Sequence, residues 1–142
     1  MGTKELIYAA VLSVALLGCA TPAAPPGTRT NCSSDCTVRV HVANCAITDP
    51  KSADVIDVHG SGRVITWQID NDSHDYSFPD STSSPGVWIK DPGQGQFTPT
   101  RLNQWMFKMK DENTVKGTFK YGIRVMKGTT ACPDFDPSIV NN

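Results

Sequence analysis

The chain has 142 residues, room for one ordinary domain, and a formal net charge of −1. Its thirteen Lys and Arg are scattered, so no basic stripe exists to neutralise a phosphate backbone, and nucleic acid is excluded as a partner. Eleven Gly and ten Pro, together with abundant Ser, Thr and Asp, suit a fold with many turns.

Lys4 precedes an apolar run from Leu6 to Leu17. The run is shorter than the about 20 residues a bilayer span needs and has the length of a secretory h-region. It ends in Leu16-Leu17-Gly18-Cys19, which resembles the bacterial lipobox. The resemblance implies a lipoprotein signal peptide over residues 1–18, cleavage before Cys19, diacylglycerol on the Cys19 thiol, and a palmitate-type chain on the new amino group. Several acyl chains hold a protein to a membrane far more firmly than one. Ala20 stands where an inner-membrane retention signal places Asp. By resemblance to other lipoproteins, this implies an outer-membrane anchor, with the domain facing the periplasm or cell surface.

Residues 19–30 form the lipidated Cys and a Pro/Ala-rich tether. Such a stretch cannot build a core. In polyproline conformation, at about 3.1 Å per residue, it lifts the domain roughly 30 Å from the bilayer.

From residue 31 to 142 the pattern has period two. Thr37 to Val42 puts three valines on one face and Arg39 and His41 on the other. Val55 to Val58 reads as a short strand ending at His59-Gly60. Val64 to Ile69 alternates again, with Ile65, Trp67 and Ile69 together, and Tyr76 and Phe78 follow. After Val87 to Ile89, Leu102 to Lys110 reads as one strand with Trp105, Phe107 and Met109 on a face. Thr118 to Met126 reads as another, with Phe119, Tyr121, Ile123 and Val125 together. Asp49-Pro50, Asp70-Asn71-Asp72, Ser84-Pro85-Gly86 and Asp91-Pro92-Gly93 mark the turns. No segment has helical spacing, so the pattern predicts an all-β domain: an antiparallel β-sandwich of about seven strands. Phe135 and Ile139 are expected to pack the tail back on it.

With Cys19 set aside, Cys32, Cys36, Cys45 and Cys132 remain. An even number in an exported domain reads as disulfides, for which three pairings are open. Cys32–Cys36 with Cys45–Cys132 is favoured, because the second then staples the tail to the opening sheet.

Two segments resemble parts of the cupredoxin family of blue-copper proteins. Val55 to Phe78 has the strand, Gly turn, aromatic strand and the Asn71, His74, Phe78 spacing, and Gly117-Thr118-Phe119-Lys120-Tyr121 is similar to the strand leading to the copper-binding Cys. The resemblance implies a cupredoxin-like sandwich, and an immunoglobulin-like one shares the second pattern. A blue-copper centre needs two His and a thiolate. Here Ile123 stands where the family has Cys, and no His follows His74. Of the family's ligands only His74 carries over, which implies a copperless relative with no metal or cofactor.

The alternative is a weak copper site built from His74 with His59, His41 or a Met. Met106 and Met109, three apart on a strand, point to opposite faces and cannot share an ion. Asp70 to Asp75 is similar to a calcium loop but lacks its Gly and closing Glu, so it reads as a polar turn. No nucleophile elbow or paired acid and base is visible, so no enzymatic activity is expected. The loop Pro92 to Phe97 with Trp88 reads either as a contact surface at one end of the sandwich or, the favoured reading, as a tight crossover between sheets that its two glycines allow. The expectation is a monomeric, anchored binding or structural domain whose partners are the membrane and an envelope protein.

Overall fold

A computed structural model describes residues 29–48, 54–91 and 95–142. The signal segment, Cys19 and the tether up to residue 28 lie outside the described residues, as do 49–53 and Pro92-Gly93-Gln94. The strands are β1 (Arg29–Cys32), β2 (Cys36–Val40), β3 (Val42–Ala43), β4 (Ala46–Ile47), β5 (Val55–Val58), β6 (Arg63–Ile69) and β7 (Tyr76–Ser77). They continue with β8 (Val87–Ile89), β9 (Phe97–Asn103), β10 (Met106–Asp111), β11 (Gly117–Ile123), β12 (Met126–Lys127), β13 (Thr130–Ala131) and β14 (Ser138–Asn141). Arg29 and Thr30, read as the end of the tether, already belong to β1.

The domain is an all-β sandwich. One sheet has the order β1-β5-β14-β11-β8 and the other β2-β6-β10-β9, with two small sheets, β13-β12-β7 and β3-β4, beside them. The antiparallel expectation holds for most pairs, but β1/β5, β5/β14 and β2/β6 are parallel. For β1/β5 and β2/β6 the cause is how the chain crosses between sheets. The turns after Cys32 and after Val58 each carry it from the five-stranded sheet to the four-stranded one instead of folding back as hairpins. Two such arches side by side run in the same direction. Asp35 ties them by accepting a hydrogen bond from Val64 N on Oδ1 (2.8 Å), and His59 N donates to Cys32 O (3.1 Å). Gly60 and Gly62 supply the positive φ angles, 82° and 67°, that the second arch needs.

The alternating apolar residues meet between the sheets. Val38, Val40, Ile65, Trp67, Ile69, Phe107 and Met109 come from one side, and Ile56, Val58, Val87, Tyr121, Ile123 and Ile139 from the other, all buried. Two disulfides close the ends. Cys32–Cys36 joins β1 in one sheet to β2 in the other (Cα–Cα 5.4 Å), and Cys45–Cys132 joins the β3–β4 turn to the end of β13 (Cα–Cα 5.1 Å).

Three sequence expectations change. Leu102 to Lys110 is not one strand: Asn103 Oδ1 accepts the Trp105 amide (2.8 Å), and the chain reverses there between β9 and β10. Trp105 continued the alternation in sequence only, and β9 went unseen. Thr118 to Met126 breaks at Arg124-Val125, where β11 ends and β12 turns to pair with β7 and β13. The tail does more than pack back. Ile139 is fully buried, and β14 is inserted between β5 and β11 as the middle strand of its sheet.

Candidate metal centre

β2 and β6 run parallel with Val40 opposite Ile69, so the next residues, His41 and Asp70, leave the sheet side by side. Their positions are fixed from both flanks. Asp70 N donates to Val40 O (3.0 Å), and the Ser73 hydroxyl accepts from Val42 N (3.0 Å) while donating to Val42 O (3.2 Å). A 3-10 turn over Asn71–Ser73, closed by Ser73 N to Asp70 O (2.9 Å), swings Asp72 back toward the same imidazole. His41 Nδ1 lies 3.5 Å from Asp70 Oδ2 and 3.5 Å from Asp72 Oδ1, and all three donors fall within 4.8 Å of one another. Asp70 is buried, His41 half-buried and Asp72 exposed, so the group opens to solvent on one side.

One nitrogen and two carboxylate oxygens are the donor set of borderline divalent ions rather than copper(I), which prefers thiolate and thioether. Metal–ligand bonds of about 2.1 Å in a tetrahedron place neighbouring donors about 3.4 Å apart. The two 3.5 Å edges are close to that spacing and are equally the distances of a His–carboxylate ion pair.

His74, the residue of the cupredoxin resemblance, stands elsewhere in chemistry. Its ring is stacked on Trp105, with centroids 4.4 Å apart and planes at 13°. Among the described residues His74 and His59 join no group of three His, Cys, Asp or Glu donors. His59 is exposed in the arch turn, where its carbonyl accepts Arg63 Nε (2.9 Å). Met109 is fully buried, and Met106 is half-buried on the other face of β10. Ile123, at the position of the family's thiolate, lies in the core, and Cys45 and Cys132 are spent in a disulfide.

Sequence reading named His41 but left Asp70 and Asp72 as turn formers. The missing signal was the parallel β2/β6 pairing, which brings residues about 30 apart in sequence together. Of the Pro92–Phe97 loop, residues 95–97 are described, and with Trp88 they make structural contacts. Gln96 is buried, and its side chain exchanges hydrogen bonds with the Val115 backbone at 3.1 and 3.4 Å. Trp88 covers Gly122, with the Arg124 guanidinium 5.0 Å from the ring centroid. A concavity of about 350 Å³ is walled by Pro79, Pro85, Pro99 and Phe107. Its Arg101 is turned to Phe78 O (3.3 Å) and Asp80 (3.4 Å).

No known protein family matches the chain, and no curated protein matches its sequence. It is similar to the crystal structure of the cysteine protease inhibitor EhICP2 from Entamoeba histolytica, with 12% identity and a TM-score of 0.29, over 80% of this chain and 92% of that one. A likeness that distant carries no argument about fold or function.

Proposed function

We propose that the protein is a lipid-anchored module of the bacterial outer membrane whose β-sandwich serves a non-enzymatic binding or structural role. The observation that carries this reading is how the cysteines are used. All four cysteines in residues 29–142 form two disulfides, which is the state of an exported protein in an oxidising compartment. Cys19, placed behind an apolar export segment, is then left to the lipid. The cupredoxin-like pattern fits a relative that has given up blue-copper chemistry, because among the described residues every cysteine is spent in a disulfide. The test is metabolic labelling with palmitate and membrane fractionation of the wild type and Cys19→Ala. Label and outer-membrane recovery that both vanish in the variant support the reading. An unlabelled wild type, or a variant that still fractionates with the membrane, overturns it.

The convergence of His41, Asp70 and Asp72 favours a second reading, in which the same anchored domain handles a divalent metal. Here His41 rather than His74 supplies the imidazole, and two carboxylates stand in place of a second His or a Met. Calorimetric titration of the detergent-solubilised protein with zinc and with copper(II) tests it. Binding abolished in His41→Ala but kept in His74→Ala supports it, and equal binding by wild type and His41→Ala removes it.

A further inference from the structure

At the end of the sandwich away from His41, four polar side chains are buried together: Gln96 (5% exposed), Asp111 (0%), Asn113 (5%) and Asn141 (3%). Asp111 ends β10 in the four-stranded sheet, and Asn141 ends β14 in the middle of the other. Asp111 Oδ1 accepts hydrogen bonds from Asn113 N (2.8 Å) and Asn141 Nδ2 (3.2 Å). Gln96 Oε1 (3.3 Å) and Val115 O (3.4 Å) also face Asn141 Nδ2. Three acceptors around that nitrogen fix the orientation of the amide, because a flipped oxygen would meet only acceptors.

The remaining two oxygens, Asp111 Oδ2 and Asn141 Oδ1, are buried with no hydrogen-bond partner. Both are acceptors when Asp111 is ionised, and each bears its full desolvation cost. One proton on Oδ2 converts that oxygen to a donor. We propose that Asp111 and Asn141 form a proton-held latch: when Asp111 is protonated, the two side chains pair through two hydrogen bonds that tie the C-terminal strand of one sheet to β10 of the other. In the pair, Asn141 Nδ2 donates to Asp111 Oδ1, and the acid hydroxyl on Oδ2 donates to Asn141 Oδ1.

The surroundings shift the carboxyl toward the neutral acid. Burial pushes the Asp111 carboxyl above its ordinary value, outweighing the hydrogen bonds from Asn113 and Asn141. Glu112 adds to the rise and Lys116 opposes it. Both of these groups also have partners of their own. Glu112 pairs with Lys110 (2.5 Å), and Lys116 Nζ reaches Asn113 Oδ1 (3.3 Å) and the Asn142 carbonyl oxygen. Arg63, opposite Asp111 on β6, gives Nε to His59 O, and Phe97, opposite it on β9, carries no charge. Because the folded pKa lies above the unfolded one, the latch contributes fully below the ordinary carboxylate pKa and is lost as pH rises to the folded pKa. Acid tightens this end of the domain, and raising the pH through the folded pKa loosens it.

Two measurements on the full-length protein in detergent test the latch. The first is the carbon NMR shift of the Asp111 carboxyl against pH in the wild type, which should titrate above the ordinary carboxylate range. The second compares denaturant unfolding of the wild type and Asp111→Asn across pH. The Asn amide can donate to Asn141 Oδ1 with no proton to lose. Relative to this variant, the wild-type unfolding equilibrium constant should rise by up to about tenfold for each pH unit between the unfolded and folded titration points. An Asp111 carboxyl that titrates at or below the ordinary range overturns the proposal, whether or not the variant folds. So does an Asp111→Asn protein with the same pH slope as the wild type.

Discussion

The indole nitrogen of Trp67 donates a hydrogen bond to the phenol oxygen of Tyr121 across the two sheets, at 3.3 Å, and both residues are fully buried. Their ring centroids lie 5.4 Å apart. This is the polar contact at the centre of an otherwise apolar interface. Tyr121→Phe keeps the ring and leaves the indole N–H with no acceptor, so we expect a loss of about 1–3 kcal/mol in denaturant unfolding.

The same tyrosine sets an alkaline limit. Burial pushes its phenol well above the ordinary tyrosine value. The unfolded phenol ionises near pH 10, so the contribution is intact below that point and is lost as pH rises toward the folded pKa. Ultraviolet tyrosinate titration should show Tyr121 ionising only with unfolding, and Tyr121→Phe should remove part of the alkaline decline.

Gly122 is required by Trp88. A β-carbon there would stand 2.2 Å from the indole ring atom Cζ2, and two more ring atoms lie within 2.6 Å. Gly122→Ala should push Trp88 off the sheet at a cost of about 1–3 kcal/mol. The displaced indole should show as a red-shifted component in fluorescence. If Trp88→Ala in the same chain recovers none of the stability, the clash is not the cause.

The Cys45–Cys132 bridge spans 87 residues of sequence. Replacing both cysteines with Ala should lower stability by about 2–5 kcal/mol, read as a drop in the denaturation midpoint. Loss of Cys32–Cys36, which closes a separation of only 4 residues, should cost less.

Arg124 grips Asp134 with two hydrogen bonds, Nε to Oδ1 at 2.7 Å and a terminal nitrogen to Oδ2 at 2.6 Å. The guanidinium holds the Asp134 carboxyl below its usual value. Its contribution is therefore present above the ordinary carboxylate range and is lost as pH falls through the lowered pKa. Solvent reaches both side chains, so Asp134→Asn should cost only ~0.5 kcal/mol at neutral pH. The variant's stability curve should also be flatter on the acid side.

The sequence by itself determined the class of fold and much of its core. The alternations Val38-Val40, Ile65-Trp67-Ile69 and Phe119-Tyr121-Ile123 bury the faces they mark, because a strand's side chains alternate whatever its neighbours are. It did not show where the chain reverses. Trp105 keeps the beat of Phe107 and Met109 although it sits in a turn, and β14, a four-residue strand directly after Asp136-Pro137, is too short to carry a pattern. Nor does alternation say which strand lies beside which. Only the tertiary structure decided that β2 and β6 are parallel neighbours in register. That single pairing sets His41 beside Asp70 and Asp72, just as the insertion of β14 brings Asn141 to Asp111. In both cases the contacts are between residues far apart in the chain, held together by strand register, which no local stretch of sequence encodes.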